Sequence, residues 1–149
     1  MEEIHKILVP VDFSEHSQRA VDESVGLAEA FGAELHLLHC YPLQLGAIDP
    51  YGITPPESYE RQLREAAGQR LAEWCAKARA NDLVVEPHVT ARSPFTEIPA
   101  LAEKLPADLI VMGTRGLSGL RHVLLGSVAE RTIRTAPCPV LTVKQVASD

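Results

Sequence analysis

The chain has no excess of positive charge: 14 Lys and Arg stand against 20 Asp and Glu, for a net charge of −6. That disfavours non-specific attachment to DNA, RNA or an anionic membrane, each of which needs a basic surface. It does not disfavour a nucleotide, whose phosphates are held by local dipoles. Cysteine is scarce. Cys40, Cys75 and Cys138 are odd in number and none is spaced as a metal or redox pair, so a reduced cytoplasmic protein is the simplest expectation. No apolar run approaches membrane-spanning length, and Met1-Glu2-Glu3 is acidic where a signal peptide would be basic. Low-complexity tracts and internal repeats are missing, as are two common phosphate fingerprints, the Gly-Lys-Ser/Thr of a P-loop and GxGxxG. The six histidines show no ligand spacing; His36 and His39, three apart on a predicted strand, point to opposite faces. No Ser/His/Asp set is legible, so no catalytic residue is assigned.

What is present fits a single domain over residues 1–149. Hydrophobic residues make up 46% and charged residues 23%, a balance that lets a chain of this length bury a core without metal or disulfide. Ile4 to Val11 reads as a buried strand and Glu34 to Tyr41 as a second. Between them lies a helix over about 15–31, with Ser14 as N-cap, Gly32 as its stop, and Ala20, Val21, Val25, Ala28 and Phe31 at helical spacing. Pro42 to Pro56, with four prolines and two glycines, is a loop long enough to suggest a function. A helix over about 57–80 carries a stripe of Tyr59, Leu63, Ala66, Ala67, Leu71, Trp74, Cys75 and Ala78. Gly68 inside that helix costs about 1 kcal/mol relative to Ala, which suggests a close contact there. Leu83 to Thr90 is a third strand, with Pro87 marking an edge or a bulge. A short helix then runs to about Leu105. Pro99 fits it best in the first turn, which makes Thr96 the expected N-cap. Asp108 to Met112 and Pro139 to Lys144 are the fourth and fifth strands.

Strands alternating with helices imply parallel pairing, right-handed crossovers and helices on both faces of one open α/β sheet. Ligands of such sheets sit beyond the carboxyl ends of the strands, where strand order reverses. Two segments there look equipped for one. The first is Pro10-Val11-Asp12. The second is Gly113-Thr114-Arg115-Gly116, which is followed after nine residues by Gly126-Ser127 and a helix start at Val128. A strand, a glycine-bearing loop and a helix N-terminus together offer unpaired N–H groups and partial positive charge. Glycine admits close approach of the backbone to an anion, and also φ > 0, where successive N–H groups converge. Ordinary turn glycines are the competing reading.

Pro10-Val11-Asp12, Leu37-Leu38-His39, the Gly113-x2-Gly116-x9-Gly126-Ser127 pattern and Ala136-Pro137-Cys138-Pro139-Val140 together resemble the universal stress protein family, in its ATP-binding branch, over essentially the whole chain. The resemblance implies a doubly wound five-stranded parallel sheet of order 3-2-1-4-5, of the adenine-nucleotide alpha hydrolase type. Strands one and four would be neighbours. It implies Pro10, Val11 and Cys40 beside an adenine base, Asp12 at the ribose, and Gly126, Ser127 and Val128 on the phosphates. Met112, Gly113, Arg115 and Gly116 complete the cofactor-binding set. ATP or another adenine nucleotide is the implied cofactor, with Mg²⁺ brought by its phosphates near Asp12 and Ser127 and no dedicated metal site.

Each assignment has a plainer competitor. Asp12 could close an Asx-turn, Ser127 could simply N-cap the last helix, Cys40 could be a small buried hydrophobe, and Arg115, Arg121 and His122 could be solvated. Strand five, through Val140, Leu141, Thr142 and Val143, is either shielded by the tail Gln145 to Asp149 or paired with a second copy; the resemblance favours a homodimer. Arg92 stands where many relatives carry Gly, which points to a reshaped rim. The function expected is nucleotide-dependent regulation in a stress response, without partners among nucleic acids or membranes. A slow Mg²⁺-dependent ATPase or phosphotransferase, and a nucleotide-free structural dimer, remain as alternatives.

Overall fold

Among the described residues nine elements alternate: β1 (Lys6–Pro10), α1 (Glu15–Phe31), β2 (Glu34–Cys40), α2 (Glu57–Ala78), β3 (Val85–Thr90), α3 (Pro94–Lys104), β4 (Leu109–Gly113), α4 (Ser127–Thr135) and β5 (Val140–Val143). The computed structural model describes residues 3–41, 57–79, 82–116 and 125–145. The proline-rich segment 42–56, and within the glycine loop the residues 117–124 with Arg121 and His122, lie outside the described residues. All strand pairs are parallel, in the order β3-β2-β1-β4-β5. This is the order implied by the resemblance, with β1 beside β4.

Period-two burial builds two cores. Ile7, Val9, Leu35, Leu37 and Val111 pack under α1 and α2, and Leu8, Leu38, Ile110 and Met112 pack under α3 and α4. Helices therefore cover both faces. His36 lies on the α3 side. His39 lies on the α1–α2 side, where its ring meets Phe13, so the two point to opposite faces as their spacing predicts. Ser14 caps α1, accepting from Ser17 N–H at 3.2 Å, and Gly32 ends it in the left-handed conformation at φ 67°.

Several local expectations are corrected. Ser93 rather than Thr96 caps α3: its hydroxyl accepts from Phe95 N–H, and Pro94 occupies the first turn with its preset φ. Pro99 consequently sits inside the helix, where the Phe95 carbonyl loses its usual donor. Burial of Ile98, Leu101 and Ala102 holds the turn regardless. Gly126, at φ −70° and ψ 162°, occupies the N-cap of α4, which makes Ser127 the first helical residue rather than the cap. Among the described residues a Cβ at Gly68 would meet nothing within 4 Å, so no close contact there among them favours glycine.

The α2 stripe is buried only in its second half, at Leu71, Cys75 and Ala78, while Tyr59 is 49% exposed. A helix of 22 residues is about 33 Å long, longer than the strands it covers. Phe31, in the last turn of α1, is likewise half exposed. β3 begins at Val85 rather than Leu83 and forms one edge of the sheet. Pro87 is tolerated there because an outer strand has a side that needs no donor. β5 forms the other edge.

Candidate functional site

The ladder between β1 and β4 is short, Ile7↔Leu109 and Leu8↔Ile110. Beyond it the chain after β1 stays with β2, through Val11 N–H to the Leu38 carbonyl at 2.8 Å. β4 instead stays with β5 as far as Gly113↔Val143. The two central strands thus part toward their carboxyl ends, where strand order reverses, and a cavity of about 680 Å³ opens between them. That volume lies within the range of small-molecule sites.

Every residue of the sequence-derived cofactor set lines this cavity. Pro10, Val11 and Asp12 come from the end of β1, Cys40 from β2, Met112 and Gly113 from β4, Arg115 and Gly116 from the loop, and Gly126, Ser127 and Val128 from the start of α4. Leu38, Pro94 and Ile98 add apolar wall that local sequence reading missed, and Ser17, Thr114 and Ala129 complete the lining. The signal for Pro94 and Ile98 was their place at the start of α3, but which strand ends that helix faces is a matter of topology. The cavity is therefore apolar on the β2–α3 side and polar on the loop–α4 side.

The polar side is made of main chain. Thr114 N–H bonds the Val143 carbonyl at 3.3 Å and Gly126 N–H bonds the Thr114 carbonyl at 2.5 Å, so these two amides are committed. The first intrahelical bond of α4 is Glu130 N–H to the Gly126 carbonyl at 3.0 Å. Ser127, Val128 and Ala129 N–H therefore have no intrahelical acceptor. Among the described residues neither they nor the amides of Arg115 and Gly116 have one elsewhere. The N-terminus of α4 directs its partial positive charge into the same space.

The glycines of this loop are needed for room rather than for rare backbone angles. Gly32 is the one described glycine at positive φ, which corrects the expectation of φ > 0 in the loop. A Cβ at Gly113 would lie 2.9 Å from the His16 Cβ and 3.0 Å from its backbone. One at Gly116 would lie 2.7 Å from Asp12 Oδ2, and one at Gly126 would lie 3.2 Å from the Thr114 carbonyl oxygen.

Asp12 takes the Asx-turn weighed for it in sequence and also lines the cavity. Its Oδ1 accepts from Ser14 N–H at 3.0 Å, closing an Asx-turn, while its carboxylate lines the cavity. The next residue, Phe13, adopts φ 64°. For a bulky side chain this costs about 1–2 kcal/mol. Its ring lies 4.3 Å from the His39 ring, 5.3 Å edge-on from Trp74, and 4.4 Å below the Arg70 guanidinium. Two ring contacts at about 0.5–1.5 kcal/mol each, and an exposed cation–π contact at about 0.5–1 kcal/mol, outweigh that cost. No local sequence signal marked this cluster, whose members come from three separate segments.

His39 Nδ1–H donates to the Val11 carbonyl at 2.9 Å. Burial lowers its pKa below the usual histidine value, partly offset by that bond and by Asp12. Burial also pushes the Cys40 thiol up to about 12, with Glu97 adding to the effect. Cys40 is thus a neutral, weakly polar wall rather than a nucleophile. Arg92 is paired with Glu97 at 3.6 Å.

A sequence model of the Universal stress protein family matches residues 3–144. The chain belongs to this family. A universal stress protein of Methanocaldococcus jannaschii is 38% identical over 144 residues, a match covering 94% of this chain and 82% of the relative. Among solved structures, the universal stress protein UspA of Lactobacillus plantarum is similar in fold, with a TM-score of 0.78 at 24% identity, covering 96% of this chain and 99% of that one. A universal stress protein solved in complex with cAMP is 27% identical with a TM-score of 0.65, covering 97% of this chain and all of the other.

Proposed function

We propose that this universal stress protein binds an adenine nucleotide, ATP foremost, in the cavity between β1 and β4, and that binding regulates its contacts in a stress response. The observation that carries the reading is the set of amides at Arg115, Gly116, Ser127, Val128 and Ala129, which lack acceptors among the described residues and adjoin one cavity. The residues fit such a ligand. Apolar Pro10, Val11, Cys40 and Met112 suit a base. Asp12 suits ribose hydroxyls, and the α4 N-terminus with Gly126, Ser127 and Val128 suits phosphate. A methyl group at Gly116 would press on the Asp12 carboxylate, and one at Gly126 would sit tightly against the Thr114 carbonyl. The relative solved with cAMP supports an adenine nucleotide as the ligand class. When bound, ATP would supply the charge that brings Mg²⁺, with the Asp12 carboxylate and the Ser127 hydroxyl, both lining the cavity, as the groups suited to hold it.

In this reading the ligand shifts a conformational balance by meeting the cradle in one state better than in the other. The segment from Thr114 to Leu125 joins the two arms of the cradle in sequence, and the change is assigned to it and to 42–56, most of which lies outside the described residues. The protein acts in the cytoplasm as one domain. It pairs with a second copy through Val140, Leu141, Thr142 and Val143, because β5 is an edge strand that leaves Leu141 42% exposed and needs cover. Isothermal titration with ATP and Mg²⁺ tests the reading. Saturable binding that weakens at least about tenfold in Gly126→Ala supports it, and no binding at millimolar ATP overturns it. Cross-linking or sedimentation of Leu141→Arg tests the pairing, with a monomer as the expected result.

A further inference from the structure

Asp12 is gripped from both sides. His39, on β2, holds the residue before it by donating to the Val11 carbonyl at 2.9 Å, and its ring meets that of the residue after it, Phe13, at 4.3 Å with a 40° tilt. Phe13 is one of two described non-glycine residues at positive φ. That conformation would suit Gly, Asn or Asp, and nothing local asks for it in a phenylalanine. What sustains it comes from another element: Trp74 and Arg70 of α2 close over the ring. On the cavity side, Asp12 Oδ2 lies 2.7 Å from the position a Cβ would take at Gly116, which puts the carboxylate against the glycine loop.

We propose that Phe13 is a positioning residue: its ring, held by His39, Trp74 and Arg70, keeps the left-handed turn that seats the Asp12 carboxylate in the cavity and makes ligand affinity depend on helix α2. A residue that merely filled core space would not need a disfavoured backbone angle beside the carboxylate. The affinity part of this inference rests on the nucleotide reading; the placement of Asp12 does not.

The test separates the two. Hydrogen exchange of the Ser14 amide, which bonds Asp12 Oδ1, reports the seating of the carboxylate without any ligand. Phe13→Ala is expected to speed that exchange at least about tenfold and to weaken ATP binding about tenfold, and Phe13→Tyr to restore both. In an Asp12→Ala background, Phe13→Ala is expected to cost no further affinity, because the two residues act as a unit. If Phe13→Ala does not fold, Arg70→Ala, an exposed side chain, carries the same readouts at about threefold. Unchanged Ser14 exchange overturns the inference, and so does an equal loss of affinity with and without Asp12. A parent protein that binds no adenine nucleotide overturns the nucleotide reading alone, and Ser14 exchange still decides the positioning.

Discussion

The glycines of the crevice and those of the flanking helices look alike in sequence and do opposite things. Gly113, Gly116 and Gly126 stand where a Cβ would meet His16, Asp12 or the Thr114 carbonyl at 2.7–3.2 Å. Gly26 in α1 and Gly68 in α2 have nothing among the described residues within 4 Å of the same atom. In the first region the missing side chain is the space into which two strand ends and a helix N-terminus converge. In the second it is a backbone-entropy cost with no compensating contact among the described residues. The comparison separates glycines kept for close approach from glycines the fold would do better without.

The sharpest way to break that comparison is Gly113→Val. Its Cβ would press on the backbone of α1, which cannot yield as a side-chain tip can. A loss of about 2–3 kcal/mol in chemical denaturation is expected; a stability within 0.5 kcal/mol of the parent, roughly the scatter of surface substitutions, would show that the crevice is slack. Next comes the ligand. At about 100 times its Kd, ATP should stabilise the parent by about 2.7 kcal/mol. In a thermal-shift series Gly116→Ala should lose most of that gain, because its methyl group displaces the Asp12 carboxylate.

A pH series sharpens the comparison by moving from space to charge. Burial, the leading cause for each, lowers the pKa of His39 beside the crevice and of His88, which contacts His36 at 3.0 Å on the outer strand. Each group binds its proton more readily in the unfolded chain. Stability is therefore full above the ordinary histidine pKa of 6.5 and falls as pH drops through 6.5 toward the folded values, by at most about 1.4 kcal/mol per pH unit per site. Urea melts between pH 8 and pH 5, over about three units, should show this slope, reduced in His39→Gln and in His88→Gln. A flat profile would mean that the rings are better solvated than their packing implies. The smallest effect has the opposite sign: Gly68→Ala should raise stability by about 0.5–1 kcal/mol. A loss there would show that Gly68 serves a contact outside the described residues.

Much of the site was legible because its parts are contiguous. Pro10-Val11-Asp12 and Gly113 to Gly116 each follow a buried apolar run, and Gly126-Ser127 precedes a helix, so local pattern placed them at strand ends and a helix start. Ser14, Gly32 and the edge position of Pro87 were legible for the same reason. Thr96 was misjudged as a cap because two adjacent rules, proline in the first turn and serine before it, competed within four residues, and only packing of Ile98 and Leu101 decided between them. Pro94, Ile98 and the Phe13 cluster stayed invisible because their partners come from distant segments.

By itself the sequence determined the alternation of elements, the two-faced burial of the strands and the chemistry of the two loops, since these depend on periodicity and on residues within one turn or strand. The tertiary structure alone decided that β1 and β4 part beyond Leu8 and Ile110, that the loop glycines serve close approach at ordinary φ, and that α2 reaches over to hold Phe13. Those outcomes depend on which distant side chains meet once the sheet has closed, and no local preference encodes that.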